Sequence, residues 1–230
     1  MTRTIFVVLA ACLTAAALPI VADATHKPGH QSPGNPGPGG VDITITARPS
    51  VTVFQGATVI SGKLKGPNNN GRPVTLREDS FPFNSVDKVI DGQTDANGNY
   101  TFTRSPAKSS TYQVVLPPFT GTNVRSPGVY VPVRVRTSLF VNDRTPRVGQ
   151  VVRFSGRACP THDGLGVGIQ RLGSKGFGTI RSTTLRSATR CSVYSRLVRI
   201  TRDGTFRVIT AGHGDNARGI SRSVFVNAHS

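Results

Sequence analysis

The sequence predicts an all-β chain of two tandem antiparallel β-sandwich domains, preceded by an export signal and a Gly/Pro-rich linker. Three observations predict it. From Asp42 onward no window repeats apolar residues at i, i+3, i+4 and i+7 over three turns. Short runs instead alternate apolar and polar residues between turn signals, and the two halves carry similar punctuation in the same order. With 230 residues and 37% hydrophobic content, the chain can fill one or two cores, which excludes a disordered tail or a collagen-like repeat.

The N-terminus reads as a targeting segment. Arg3 supplies the positive charge, Ile5 to Ala17 are apolar or small, Pro19 breaks the run, and Ala22-Asp23-Ala24 fits a signal peptidase site. Residues 1–24 are therefore expected to be a removed secretory signal. A competing reading is a lipobox at Leu9-Ala10-Ala11-Cys12, with Cys12 acylated. Against it, the apolar stretch before Cys12 is short and the residues after it remain apolar. Pro19 and Asp23 also keep the run below the ~20 residues of a membrane span, so no span is expected in the mature chain. Cleavage would remove one base and one acid and leave the charge at +17. Cys159 and Cys191 would then be the only cysteines of a chain in an oxidising compartment, and a disulfide between them is expected.

Residues 25–41 (THKPGHQSPGNPGPGGV) hold almost nothing to bury and predict a flexible linker. Strand faces follow from period-two patterns: Ile43, Ile45 and Ala47; Val74, Leu76 and Glu78; Tyr112, Val114 and Leu116; Val129, Val131, Val133 and Val135. In the second half Val152 alternates with Phe154 and Phe206 with Val208. One buried and one wet face is the habit of antiparallel sandwiches.

Internal similarity sets the domain boundaries. Gly56 with Val59 to Gly62 corresponds to Gly149 with Arg153 to Gly156, and Ser126 before Val129-Tyr130-Val131 to Ser221 before Val224-Phe225-Val226. Between them, the turn Asn97-Gly98-Asn99-Tyr100 matches Asp203-Gly204-Thr205-Phe206. The separations of 94, 95 and 106 residues predict domains at 42–135 and 136–230, with about a dozen extra residues inside the second copy.

Copies of this length suit a seven-stranded sandwich of the immunoglobulin type. Ser61 to Gly66 (SGKLKG), Arg72 to Glu78 (RPVTLRE), Thr94 to Phe102 (TDANGNYTF) and Thr111 to Leu116 (TYQVVL) resemble segments of bacterial immunoglobulin-like and carboxypeptidase-regulatory-like (transthyretin-like) modules. The resemblance covers both halves, more clearly the first. It implies a secreted or surface protein whose modules act as spacers, adhesion elements or appendages. The buried Trp and inter-sheet Cys pair of antibody domains are missing from both copies.

Candidate sites for catalysis are few. Asp95, Asn97 and Asn99 have the opening spacing of a calcium loop, but Tyr100 stands where that loop needs glycine, so a tight hairpin turn is the better reading. Gly168 to Lys175 (GIQRLGSK) approaches a phosphate-binding loop, yet Gly176-Phe177-Gly178 would break the helix that must follow, leaving a Gly-rich loop between strands. His26 and His30 lie in the linker and His229 near the end, and His162 and His213 read as solvated loop residues without metal-ligand spacing. Glu78 and Asp79 point to opposite faces of a strand. With no G-x-S-x-G elbow and no Cys-His pair, the expectation is a non-enzyme with no cofactor and no metal.

Charge carries the functional content. Residues 42–135 hold 10 basic and 6 acidic residues, whereas 136–230 hold 16 and 4, and 15 of those 16 are Arg. Arg153, Arg199 and Arg207 are expected to face outward, with Arg181, Arg186 and Arg190 clustered before Cys191. Guanidinium forks suit phosphate and carboxylate. The expected polyanion-binding set is Arg181, Arg186, Arg190, Arg196, Arg199 and Arg207, and the expected partner an anionic cell-envelope polymer or acidic glycan. The arginines lack interleaved aromatics for base stacking, and exported proteins seldom meet nucleic acid. The alternatives are an arginine excess that is compositional and merely solubilises the domain, and a sugar or protein ligand recognised by loops at one end of a sandwich.

Overall fold

The computed structural model describes residues 34, 35, 37, 40–117 and 124–230. The expected signal segment 1–24, Cys12 included, and most of the linker lie outside them. Part of that linker is ordered: Asn35 exchanges two backbone hydrogen bonds with Arg125, at 2.9 and 3.1 Å. Such pairing needs no apolar side chain, which is why composition missed it.

The first sandwich contains β1 (Asp42–Ile43), β2 (Thr46–Arg48), β3 (Thr52–Val53), β4 (Thr58–Lys65), β5 (Pro73–Ser80), β6 (Lys88–Gln93), β7 (Asn99–Arg104), β8 (Ser110–Val115), β9 (Val129–Val131) and β10 (Val133–Arg134). One sheet places β4 between β7 and the pair β1 and β2; the other runs β6-β5-β8-β9. The second sandwich contains β11 (Arg136–Thr137), β12 (Phe140–Val141), β13 (Val151–Cys159), β14 (Gly166–Gly173), β15 (Gly176–Thr184), β16 (Ser192–Arg199), β17 (Gly204–Thr210), β18 (Gly219–Ile220) and β19 (Val224–Val226). It repeats the plan. β13 sits between β16 and the pair β11 and β12, facing a sheet of β15-β14-β17 with β18 and β19 on β17.

In both copies the last strand also runs parallel to an early one, β10 with β3 and His229 with Arg147. These are two tandem immunoglobulin-like sandwiches. The alternating faces read from sequence supply the cores: Ile43, Val74, Leu76, Tyr112, Val114 and Val131 in the first, Val152, Phe154, Phe206 and Val208 in the second.

The internal repeat is more regular than its turn letters suggest. Gly62 and Gly156 occupy one position: a Cβ on either would collide with the carbonyl of Thr44 or Ser138 and with the phenol of Tyr100 or Tyr194. Ser126 and Ser221 accept hydrogen bonds from the amides of Val114 and Val208, at 3.0 and 2.8 Å. Tyr100 therefore corresponds to Tyr194, not Phe206, whose counterpart is Tyr112. The offset stays at 93 to 95 residues, and the dozen-residue insertion does not exist. The Gly98 turn enters β7, whereas the Gly204 turn enters β17, so similar turn letters marked different strands.

The polypeptide from Val129 to Thr137 passes directly between cores. Val131 packs in the first core and Val135 in the second, with Val133 buried between them. The loop between β17 and β18 folds onto this passage. Asn216 donates its side-chain amide to the carbonyls of Ala107 (3.0 Å) and Val133 (3.3 Å), and Ser109 donates its backbone N–H to Asp215 (2.7 Å).

His162, expected to be solvated, is only 8% exposed. Its backbone N–H donates to Ser192 Oγ at 2.7 Å, which holds it in the sandwich end beside Asp215 and Asn216. His213 remains exposed, 3.6 Å from Asp215.

Candidate anion-binding site

The structure separates the six arginines read from sequence as one surface. Arg207 on β17 donates Nε to Gln170 (2.8 Å) and lies 4.0 Å above the Phe177 ring, which leaves it half-buried and committed to the sheet. Arg186 pairs with Val193 through two backbone hydrogen bonds, and Arg190 lies in the following connection with a positive φ of 67°. Arg181 does not join them, because it sits within β15. Arg196 is exposed on β16, and Arg153 and Arg199 are exposed on β13 and β16.

Two of the six, Arg181 and Arg199, line one pocket of about 230 Å³ with Arg171 and Arg202. It opens between β15 and β16, the edge strands of opposite sheets. Among the described residues, the backbone bonds between those edges are confined to Arg186 and Val193. Beyond that bridge the core is covered by side chains: Ile180, Val198, Ile200 and Phe206 form the apolar part of the wall beside the four arginines. Long arginine stems can cover such surface while their heads stay wet.

The pocket's charge is uncompensated among the described residues. Arg181 donates to the carbonyl of Ile180 (3.0 Å) and Arg199 to that of Gly149 (2.7 Å), and no carboxylate lies within 4 Å of any of the four guanidinium groups. Of the domain's four acids, Asp143 bonds with Thr145 and Gln150, Asp163 with Ser192, and Asp215 lies near His213, whereas Asp203 follows Arg202 in the turn before β17 and forms no ion pair within 4 Å among the described residues. A larger depression of about 530 Å³ on the first sandwich is lined by Pro73, Asp91 and Pro117 among others and carries no basic residue.

Sequence reasoning missed Arg171 and Arg202. Gly168 to Lys175 is not a loop but most of β14 and its tight turn into β15, with Gly176 at φ 98°. Once β14 is known to pair with β17, Arg171 falls opposite Phe206 and its position becomes readable. Asp95, in contrast, forms the expected hairpin turn, accepting from the backbone N–H groups of Asn97 and Asn99, both at 2.8 Å. Hydrogen bonds, that of the Asn99 side chain foremost, hold its carboxyl below the usual range.

The expected disulfide is present: Cys159 and Cys191 are bonded, with Cα atoms 4.6 Å apart. It ties the end of β13 to the approach to β16 within one sheet, at the end of the seam opposite the arginine pocket.

No protein-family model matches the chain, and the comparison with curated proteins gives no match. Among solved structures, similarity extends to the Yersinia pseudotuberculosis adhesin InvE at 15% identity, covering 84% of this chain and 62% of that one, with a TM-score of 0.33. A tetra-tandem repeat from the extending region of a large adhesion protein is 14% identical over 81% of this chain and 49% of its own, with a TM-score of 0.35. Murine CEACAM1b is 12% identical over 82% of this chain and all of its own, with a TM-score of 0.33. The chain thus spans about three fifths and half of the first two of these structures.

Proposed function

We propose that the chain is a non-enzymatic, secreted or cell-surface-associated binding module that attaches through its basic second sandwich to anionic envelope polymers or acidic glycans, with the first sandwich as a spacer. This suits the surface modules, immunoglobulin-like or carboxypeptidase-regulatory-like, that its turn motifs resemble. The observation that carries the reading is the unneutralised arginine of the second sandwich: 16 basic residues against 4 acidic, with no Arg–carboxylate contact within 4 Å among its described residues. Such a surface draws polyanions from a distance and grips phosphate or carboxylate bidentately on contact. An export signal at residues 1–24 would deliver it to the envelope.

The test is binding of residues 25–230 to purified cell envelope across a salt series, with anionic polymers intact or stripped. Retention on intact envelope at low salt, release as salt rises and loss on stripped envelope are expected. Equal binding to stripped envelope, or none to either, overturns the reading.

A further inference from the structure

The two sandwiches differ most tellingly where they should be alike. In the first, Glu78 on β5 lies opposite Tyr112 on β8 and is only 1% exposed. It is held by Arg104 from the other sheet, whose Nη2 and Nε stand 2.7 and 3.0 Å from the same carboxylate oxygen. This pair closes the flank of the first core with its own anion. Such a buried carboxylate is tolerable only because a guanidinium meets it.

The same two ladder positions can be read in the second sandwich. Phe206 takes the place of Tyr112, and the residue opposite it on β14 is Arg171. Thr58 pairs with Arg104 in the first copy; Val152 takes the place of Thr58, and its partner is Val198. The carboxylate has become an arginine and the arginine a valine. Both substituted residues line the pocket of about 230 Å³, joined there by Arg181, Arg199 and Arg202. The second copy has lost its internal anion and gathered cations around the opening.

Resting on the polyanion-binding reading, we infer that this pocket is the selective site of the second sandwich and receives one oxyanion of an acidic polymer, a carboxylate or a phosphate diester, together with the polyol unit that carries it. The anion supplies from outside the charge that Glu78 supplies from within the first copy. Guanidinium groups from β14, β15, β16 and the turn before β17 surround it, and Val198 and Phe206 offer an apolar wall to the carbon face of the unit. Arg186, Arg190 and Arg207 contribute only diffuse attraction or structure.

The experiment compares two doubly substituted full-length mature chains of equal charge: Arg171→Gln with Arg202→Gln in the pocket, and Arg186→Gln with Arg190→Gln outside it. Each is titrated with a glycerol phosphate oligomer and with an oligogalacturonate, and thermal unfolding checks that both remain folded. The expected result is roughly tenfold or greater weakening toward at least one oligomer in the pocket variant and about twofold or less in the control. The oligomer affected identifies phosphate or carboxylate as the source.

A charge-neutral variant separates geometry from field. A Cβ at Gly204 would stand 3.2 Å from Arg171 Cδ, so Gly204→Ala is expected to shift the Arg171 stem by a few tenths of an ångström and weaken binding modestly without changing net charge. Equal weakening in the two double variants overturns the pocket while leaving electrostatic attachment intact. Binding to envelope with no binding to either oligomer overturns the ligand class. Failure to bind intact envelope overturns both proposals.

Discussion

Tyr100 and Tyr194 each donate the phenolic proton to a backbone carbonyl 56 residues earlier, that of Thr44 and Ser138 respectively. Each bond ties β7 or β16 to the first strand region of its sandwich. Burial pushes both phenols well above their ordinary range, so they stay protonated as donors. Tyr100→Phe and Tyr194→Phe are expected to destabilise by about 0.5–1.5 kcal/mol each. Because the two lie in separate cores, the double variant should lose close to the sum in urea unfolding.

Gly156 makes the second of these bonds possible. A Cβ there would lie 2.1 Å from the Ser138 carbonyl oxygen and 2.6 Å from the Tyr194 hydroxyl. Gly156→Ala should therefore cost more than Tyr194→Phe, on the order of 1–3 kcal/mol for overpacking with the lost bond added. Thermal melts of the two variants provide the comparison.

The Cys159–Cys191 bond closes a segment with a sequence separation of 32. Replacing both cysteines with serine is expected to remove roughly 3–4 kcal/mol, most of it through the entropy of the unfolded chain. Denaturant titration of oxidised, reduced and substituted protein should place the latter two together.

Acidification should weaken the fold through His162. Burial pushes its imidazole below the ordinary value of 6.5, with Asp215 and Asn216 opposing the shift. The unfolded chain therefore binds the proton more readily than the folded one. This contribution to stability is complete above about pH 6.5 and falls as pH drops through and below it. His162→Gln should flatten the melting temperature between about pH 8 and about pH 5.5 relative to the parent, and an unchanged slope would assign the loss to other groups.

Asn216 belongs to the second sandwich but donates to Ala107 of the first and to Val133 in the passage between them. Asn216→Ala leaves those carbonyls without that donor and should cost about 1–3 kcal/mol. The expected signature is separation of a single unfolding transition into two as the sandwiches cease to support each other, measured by calorimetry.

Much of this architecture was readable because alternation reports directly on which face is buried. The fully buried Val152, Phe154, Val74 and Leu76 all stood at their expected phase. The arginine pocket was harder to find. Arg171 looks like part of a Gly-rich loop until the pairing of β14 with β17 is known, and Arg202 reaches the pocket from a turn. The ion pair of Glu78 with Arg104 was half visible: the phase of Glu78 placed it inward, but its partner comes from the opposite sheet, 26 residues away. His162 was misread because a Gly- and Asp-containing segment looks wet, whereas the fold of the loop carrying Asp215 and Asn216 covers it.

The uninterrupted course from Val131 to Val135 makes the tandem a mechanical element. β10 continues into β11 after a single residue, Val135, so a pull on one sandwich reaches the other without first straightening a slack linker. Within the first sandwich β10 runs parallel to β3, bonded where Thr52 N–H meets Pro132 and Phe54 N–H meets Arg134. Tension applied along those strands from opposite ends would load these bonds in shear, together rather than one after another. The two sandwiches would thus keep a fixed spacing under tension instead of drawing apart through a linker.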